Sequence, residues 1–110
     1  MNLPEIPSGA TIRQWQAYMA ELVKARGWDA ASDLEIFLLL TEEVGELAKA
    51  YRRHRALFAE GQPESDTRAE LAGELADVLS YLLDIAQRLD VDLESALIDK
   101  EHHNRGREWS

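Results

Sequence analysis

Two pairs of carboxylates stand out in the sequence because they repeat the same spacing. Glu43 and Glu46 are three residues apart, and so are Glu74 and Asp77. Residues three apart on an α-helix project from one face, so each pair would present its two carboxylates together. Carboxylate oxygens are the ligands that Mg²⁺ and Mn²⁺ prefer. We therefore interpret the two pairs as candidate metal ligands, with Glu42 as an adjoining acid.

Glu43 occupies an unusual place on its predicted helix. On a helical wheel it falls inside a broad apolar arc, between Leu39, Leu47 and Ala50. Glu42 projects nearer to the polar side. A glutamate in an apolar face is costly unless it is paired or bound to a cation. A single Glu-x-x-Glu pair is usually part of a solvated face, but two such pairs on consecutive helices favour a functional site.

Four acids that are brought together need a counter-charge. At an effective dielectric of 20, each like-charge pair within about 5 Å costs on the order of 3 kcal/mol. A hard divalent cation would relieve this repulsion. The Glu-x-x-His repeats of di-iron bundles are absent from the sequence, since His54, His102 and His103 stand at other positions. The sequence therefore predicts Mg²⁺, with Mn²⁺ as the alternative.

Four helices are expected to position these acids, and the fold class is predicted to be all-α. Each helix begins at a residue that can cap it and continues with apolar residues at helical spacing. The first three caps are followed three residues later by Gln or Glu, which makes a capping box. The predicted caps are Thr11, Ser32, Thr67 and Asp92.

The ends of these helices are predicted from charge and from helix-breaking residues. The first helix should end at Arg26, before Gly27, and the second should run to about Leu57. The third should end near Leu89 and the last near residues 104–106. A polar loop over residues 61–66 joins the two long central helices. A short connection favours antiparallel packing, which would let the two acidic pairs meet.

Composition bounds the remaining possibilities. The chain has 110 residues, with 12 Lys and Arg against 21 Asp and Glu, so its net charge is −9. We expect an irregular lead-in over residues 1–10 and a single domain over residues 11–110. The acidic balance argues against nucleic-acid and anionic-membrane partners, and the absence of cysteine excludes thiolate chemistry. With no targeting segment and no long apolar run, the expected location is cytoplasmic.

The two acidic segments also carry a family resemblance. Residues 42–47 (EEVGEL) and 74–78 (ELADV) fit the pattern E-E-x-x-E, a spacer, then E-x-x-D. With Gly27-Trp28 ahead of the second helix, the sequence resembles the MazG-like, all-α nucleoside triphosphate pyrophosphohydrolases over about residues 11–109. It is most similar to the short, dCTP pyrophosphatase-like members. All-α dUTPases and phosphoribosyl-ATP pyrophosphohydrolase share the fold.

The resemblance implies a Mg²⁺-dependent enzyme that converts a (d)NTP into its monophosphate and pyrophosphate, as in nucleotide-pool house-cleaning. Glu43, Glu46, Glu74 and Asp77 match the family's metal ligands. Glu43 and Glu42 are the candidate catalytic residues, and Glu42 would either bind a further ion or orient the attacking water. Bound cations would neutralise the triphosphate and lower the pKa of that water.

Substrate contacts are implied near the end of the sequence. Lys100, Asn104 and Arg107 match positions that contact substrate in the family, although cations there also suit a helix end. Trp28 is a candidate for stacking on the base, as is Trp109, although a lone tryptophan is more often packing. Where the family often has Tyr-Pro, this sequence continues Arg-Glu-Trp.

Three questions stay open at this point. The basic run over residues 52–55 would either guide a triphosphate or compensate the helix dipole and pair with nearby acids. The wide apolar arc of the second helix indicates a homodimer that completes a four-helix core, and the resemblance allows a homotetramer as well. The alternative functions are phosphoribosyl-ATP hydrolysis and a non-catalytic acidic module for dimerisation or regulation.

Overall fold

The computed structural model describes residues 2–56 and 66–107, and these residues form helices without any β-strand. The all-α prediction is therefore confirmed. The four α-helices are α1 (Ile12–Arg26), α2 (Asp33–His54), α3 (Thr67–Arg88) and α4 (Leu93–Arg105). A short 3-10 turn, Trp28–Ala30, follows α1. Within the described residues, no helix is both long enough and apolar enough to cross a membrane.

Three of the four predicted helix starts are confirmed. Thr11 accepts a hydrogen bond from the Gln14 amide, and the Gln14 side chain accepts one from the Thr11 amide. Ser32 begins α2 with a capping box of the same kind. Asp92 caps α4 by accepting from the amides of the second and third helical residues. Each cap satisfies amides that have no partner inside the helix.

The predicted start of α3 is wrong by one residue. Asp66 caps this helix, because its Oδ1 accepts hydrogen bonds from the amides of Arg68 and Ala69 at 3.1 and 3.2 Å. Thr67 is already helical, and its Oγ1 lies 3.1 Å from Nδ1 of His54. The expected box between Thr67 and Glu70 does not form, because both side chains have partners on α2.

The helix ends are set by the backbone. Gly27 closes α1 in the left-handed conformation, with φ of 73°, and donates its amide to carbonyls of the last turn. The α2 helix ends at His54, earlier than predicted, because Ala56 has φ of 55° and cannot continue a right-handed helix. The predicted end at Leu57 and most of the 61–66 loop lie outside the described residues.

Two compact units can be distinguished, and the first is built from the two ends of the sequence. It comprises the chain up to Ala31 and from Leu83 onward. Met19, Val23 and Leu83 form its buried core. Across it, Arg13 on α1 makes ion pairs with acids at the start of α4. The expected single domain over residues 11–110 stays a prediction.

The second unit, Ser32–Leu82, contains α2 and most of α3. Contacts between the two helices pair late residues of α2 with early residues of α3, as in His54 with Thr67 and Arg53 with Glu70. The helices are therefore antiparallel, as predicted. Among the residues of this unit that the structure describes, nine large apolar side chains are exposed: Leu34, Phe37, Leu38, Leu39, Val44, Tyr51, Leu75, Leu79 and Leu82.

Candidate active site

Three acids from the two antiparallel helices converge within the second unit. Glu43 comes from α2, and Glu74 and Asp77 come from successive turns of α3. One carboxylate oxygen of each residue lies within 4.8 Å of the others. Glu43 and Glu74 are partly buried and Asp77 is exposed, so the group is open to solvent on one side. The antiparallel pairing produces this convergence, because it sets the middle of α2 beside the middle of α3.

One oxygen of this group has no partner. Oε2 of Glu74 is buried and accepts no hydrogen bond. A buried carboxylate oxygen without a donor is costly, because the hydration it loses is not replaced. A cation at the group would supply the missing charge, and three carboxylates are a hard oxygen donor set. The residues present therefore fit a divalent metal ion of the Mg²⁺ or Mn²⁺ type.

The surroundings of Glu43 disfavour its charged form. Desolvation raises the pKa of the Glu43 carboxyl above its usual range, and the charges of Asp77 and Glu74 raise it further. A hydrogen bond to the Glu74 carboxyl and the charge of Glu46 act in the same direction. Each of these effects disfavours an unpaired anion.

The other two predicted acids lie beside the group. Glu46 is exposed and is not one of the three converging residues, although its charge acts on Glu43. Glu42 is also exposed. Three of the four predicted ligands are thus brought together directly. The roles of Glu46 and Glu42 stay predictions.

Comparison with known proteins decides the family. The model of the MazG nucleotide pyrophosphohydrolase domain matches residues 32–105, which include both acidic segments. The chain belongs to the MazG family.

Relatives of this MazG family member include enzymes named for nucleotide substrates. It is 37% identical over 101 residues to dCTP pyrophosphatase 1 of Rattus norvegicus, covering 88% of this chain and 58% of the relative. The Homo sapiens dCTP pyrophosphatase 1 is 34% identical over 103 residues, with the same coverage of 88% and 58%. A dATP/dGTP diphosphohydrolase of Cyanophage S-2L is 34% identical over 101 residues, covering 92% and 80%. The chain thus spans 58% of the length of the mammalian relatives.

Part of the basic run in this MazG family member is engaged in pairs with α3. Arg53 Nη1 lies 3.1 Å from Oε1 of Glu70, and His54 contacts Thr67. Arg52 and Arg53 stand in the last turn of α2, where cations complement the helix dipole. These contacts favour the pairing interpretation for Arg53 over a role in guiding the triphosphate.

The predicted substrate residues near the end of the sequence belong to the first unit. Lys100 is exposed on α4, and Asn104 is partly buried one turn later. Arg107 follows the helix, and its amide donates to the Asn104 carbonyl at 3.2 Å. Trp109 lies outside the described residues. Their contact with substrate stays a prediction.

Trp28 stands at the start of the 3-10 turn and is 51% exposed. The guanidinium of Arg26 lies over its ring, 5.6 Å from the centroid. The Trp28 carbonyl accepts a hydrogen bond from Arg88, a residue that the sequence analysis missed. A signal for it was present, because Asp84 stands within the apolar run 82–86 and an arginine follows four residues later.

Proposed function

We propose that this chain hydrolyses nucleoside triphosphates, (d)NTPs, to the monophosphate and pyrophosphate with the help of Mg²⁺ or Mn²⁺. The observation that carries the proposal is the convergence of Glu43, Glu74 and Asp77 around a buried, unpartnered Glu74 oxygen. Membership of the MazG family supports the reaction class. The relatives' names, dCTP pyrophosphatase 1 and dATP/dGTP diphosphohydrolase, support a role in controlling the nucleotide pool.

The proposed metal site consists of the three converging acids, with Glu46 one turn further along α2 as a fourth ligand. The bound cation would supply positive charge against the triphosphate and lower the pKa of a water. The net charge of the cluster would otherwise repel a polyanionic substrate. These four acids would therefore bind the triphosphate only when cations neutralise its charge.

In the proposed reaction, water attacks the substrate directly and the protein forms no covalent bond to it. The water oxygen forms a bond to the α phosphorus, and the bond from that phosphorus to the α–β bridging oxygen breaks, so pyrophosphate leaves. Glu42 would orient the water, whose proton would pass to solvent, and Glu43 would help to hold the cation that lowers the pKa of that water. Positioning and charge stabilisation account for most of the catalysis of such reactions.

The proposed substrate contacts have separate tasks. Lys100 and Arg107 would bind phosphate oxygens through charge-assisted hydrogen bonds. Asn104 would bind the sugar or a base edge, because its amide both donates and accepts. Trp28 would stack on the base.

We also propose that the chain works as a homodimer or a dimer of dimers in the cytoplasm. The nine exposed apolar side chains of the second unit support association, since monomers rarely expose so many. A second copy covering them would complete a four-helix core. Light scattering at several concentrations tests this proposal, and a monomer at every concentration would contradict it.

The decisive experiment measures pyrophosphate and monophosphate release from a panel of canonical and modified NTPs and dNTPs. The panel should include dCTP, dATP and dGTP, and each assay should be run with Mg²⁺, with Mn²⁺ and with EDTA. We expect equimolar products that depend on the metal. The ranking of substrates would then give the base and sugar preference.

A control variant shows whether the loss of any exposed carboxylate, rather than one at the proposed site, reduces activity. Glu21→Gln removes an exposed carboxylate from α1 and should leave activity unchanged. Release of inorganic phosphate alone would contradict the proposed bond cleavage. If folded, metal-binding protein releases no product from any member of the panel, phosphoribosyl-ATP is the next substrate to test. If that substrate also gives no product, the non-catalytic module is favoured.

A further inference from the structure

Asp84 on α3 is a buried acid, at 6% exposure. Its Oδ1 accepts hydrogen bonds from Arg88 Nε at 2.7 Å and from Gln87 at 3.1 Å. The side chains of Arg88 and Asp84 are 8% and 9% exposed. Removing two charges from water is costly, so a buried pair is weak evidence for a purely stabilising role.

The remaining donors of Arg88 reach the turn that follows α1. Nη1 donates to the Ala31 carbonyl at 2.6 Å, and Nη2 donates to the Trp28 carbonyl at 2.8 Å. One planar guanidinium, oriented by Asp84, thus holds both ends of the 3-10 turn. Only arginine offers several donors in this rigid fork. All four residues belong to the first unit.

The turn held in this way presents an exposed aromatic ring. The Trp28 backbone is fixed at its own carbonyl, yet about half of the residue is open to solvent. The Arg26 guanidinium lies over the ring, 5.6 Å from its centroid. An aromatic ring on a fixed backbone loses little freedom when a planar ligand stacks on it. Stacking on bases is the common use of such a ring in nucleotide-binding proteins.

We propose that Arg88, oriented by Asp84, is a positioning residue for base recognition, and that it acts by holding the 28–31 turn so that Trp28 is ready to stack on the nucleobase. The inference rests on the proposed function, because the base belongs to the proposed substrate. On this proposal, the ion pair of Asp84 and Arg88 increases the affinity for the base. It does not affect binding of the triphosphate, which other residues contact.

The test uses Arg88→Lys in the full chain. A lysine keeps the charge beside Asp84, but its compact ammonium cannot hold both carbonyls and the carboxylate in one plane. Arg13→Lys is the matched control, because Arg13 is in the same unit and pairs with Asp92 and Glu94, away from the turn. If Arg88→Lys does not fold, the double variant Asp84→Leu/Arg88→Met removes both charges together.

Two readouts separate positioning from general stability. The first is the fluorine NMR signal of Trp28 in protein labelled with fluorotryptophan, assigned by its loss in Trp28→Phe. The second compares KM for the best nucleotide with inhibition by inorganic tripolyphosphate, which has no base. For Arg88→Lys we expect a broadened Trp28 signal, KM raised about tenfold, kcat within about twofold, and unchanged tripolyphosphate inhibition. Arg13→Lys should match the wild type.

Other outcomes overturn the inference. A Trp28 signal and KM that stay at wild-type values would show that the pair does not position the ring. A loss of kcat with equal weakening of tripolyphosphate binding would show a merely structural role. Failure of the proposed function would be visible earlier, since the wild type itself would turn over no nucleotide, and the inference on base recognition would then be overturned with it.

Discussion

Glu74 and Asp84 are acids of the same helix, α3, and each has an oxygen withdrawn from water, yet their surroundings are opposite. Asp84 is matched by Arg88 and Gln87, so its charge and its hydrogen bonds are satisfied within the chain. Glu74 faces Glu43 and Asp77, and its Oε2 has no donor. The first arrangement is complete without a ligand, whereas the second needs a cation to become complete. Among these two acids, only the one whose partners are also acids therefore indicates a metal site.

The largest effect that would test this comparison is on turnover. Glu74→Gln and Glu46→Gln each remove one charge of the proposed metal site at nearly constant shape. We expect turnover to fall about a thousandfold, roughly 4 kcal/mol in the barrier, with little change in unfolding free energy. Pyrophosphate release and urea denaturation measure the two quantities. Full activity of Glu46→Gln at saturating Mg²⁺ would contradict its assignment as a ligand.

The second effect is on stability at the other acid. Asp84→Leu leaves Arg88 buried without its counter-charge, so the free energy of unfolding should fall by about 3 kcal/mol or more. The double variant Asp84→Leu/Arg88→Met should recover most of this loss, because no unpaired charge remains. Urea denaturation of the three proteins checks the result. Equal losses in the single and the double variant would show that packing, and not charge pairing, is responsible.

The third effect is on metal binding. Mg²⁺ or Mn²⁺ at about 100 times its dissociation constant should stabilise the wild-type chain by about 2.7 kcal/mol, because only the folded state brings the three acids together. Thermal unfolding with and without metal measures this gain. Glu74→Gln should lose it, while Glu21→Gln should keep it. An equal gain in both variants would place the bound ion elsewhere.

The smallest effect is on acid stability at a pair that is open to water. The hydrogen bond from Arg13 lowers the pKa of Asp92 below its ordinary value of 3.8. An acid with a lowered folded-state pKa adds stability that is present above pH 3.8 and is lost as the pH falls through the folded-state pKa. Arg13→Gln should therefore flatten the stability profile below about pH 4. Urea denaturation of the wild type and the variant at a series of pH values measures this profile. Added salt should reduce the difference between the two proteins, and identical profiles would contradict the prediction.

Local signals in the sequence predicted the helices because each start depends on a few neighbouring residues. Thr11, Ser32 and Asp92 satisfy amides within three residues of themselves, so no knowledge of the fold is needed. The start of α3 was misplaced because Thr67 and Glu70 contact α2, and those contacts are distant in the sequence. The end of α2 was misplaced because a left-handed alanine leaves no compositional signal.

The candidate site was predictable for a similar reason. A spacing of three on two neighbouring helices fixes which faces carry acids, and antiparallel packing brings Glu43, Glu74 and Asp77 together. The Asp84–Arg88 pair was missed because its importance depends on the carbonyls of Ala31 and Trp28, which lie 57 and 60 residues from Arg88. A periodic pattern cannot report contacts of that kind.

The composition of the first unit from both ends of the sequence has a consequence for synthesis. Arg13 and Asp92 are 79 residues apart, and the whole second unit is encoded between them. At about 5–20 residues per second, α1 would wait on the order of 4–16 s for α4 to leave the ribosome. Residues 32–82 are complete before that moment. On the ribosome, the three converging acids are therefore all synthesised before α1 can form its ion pairs with the start of α4.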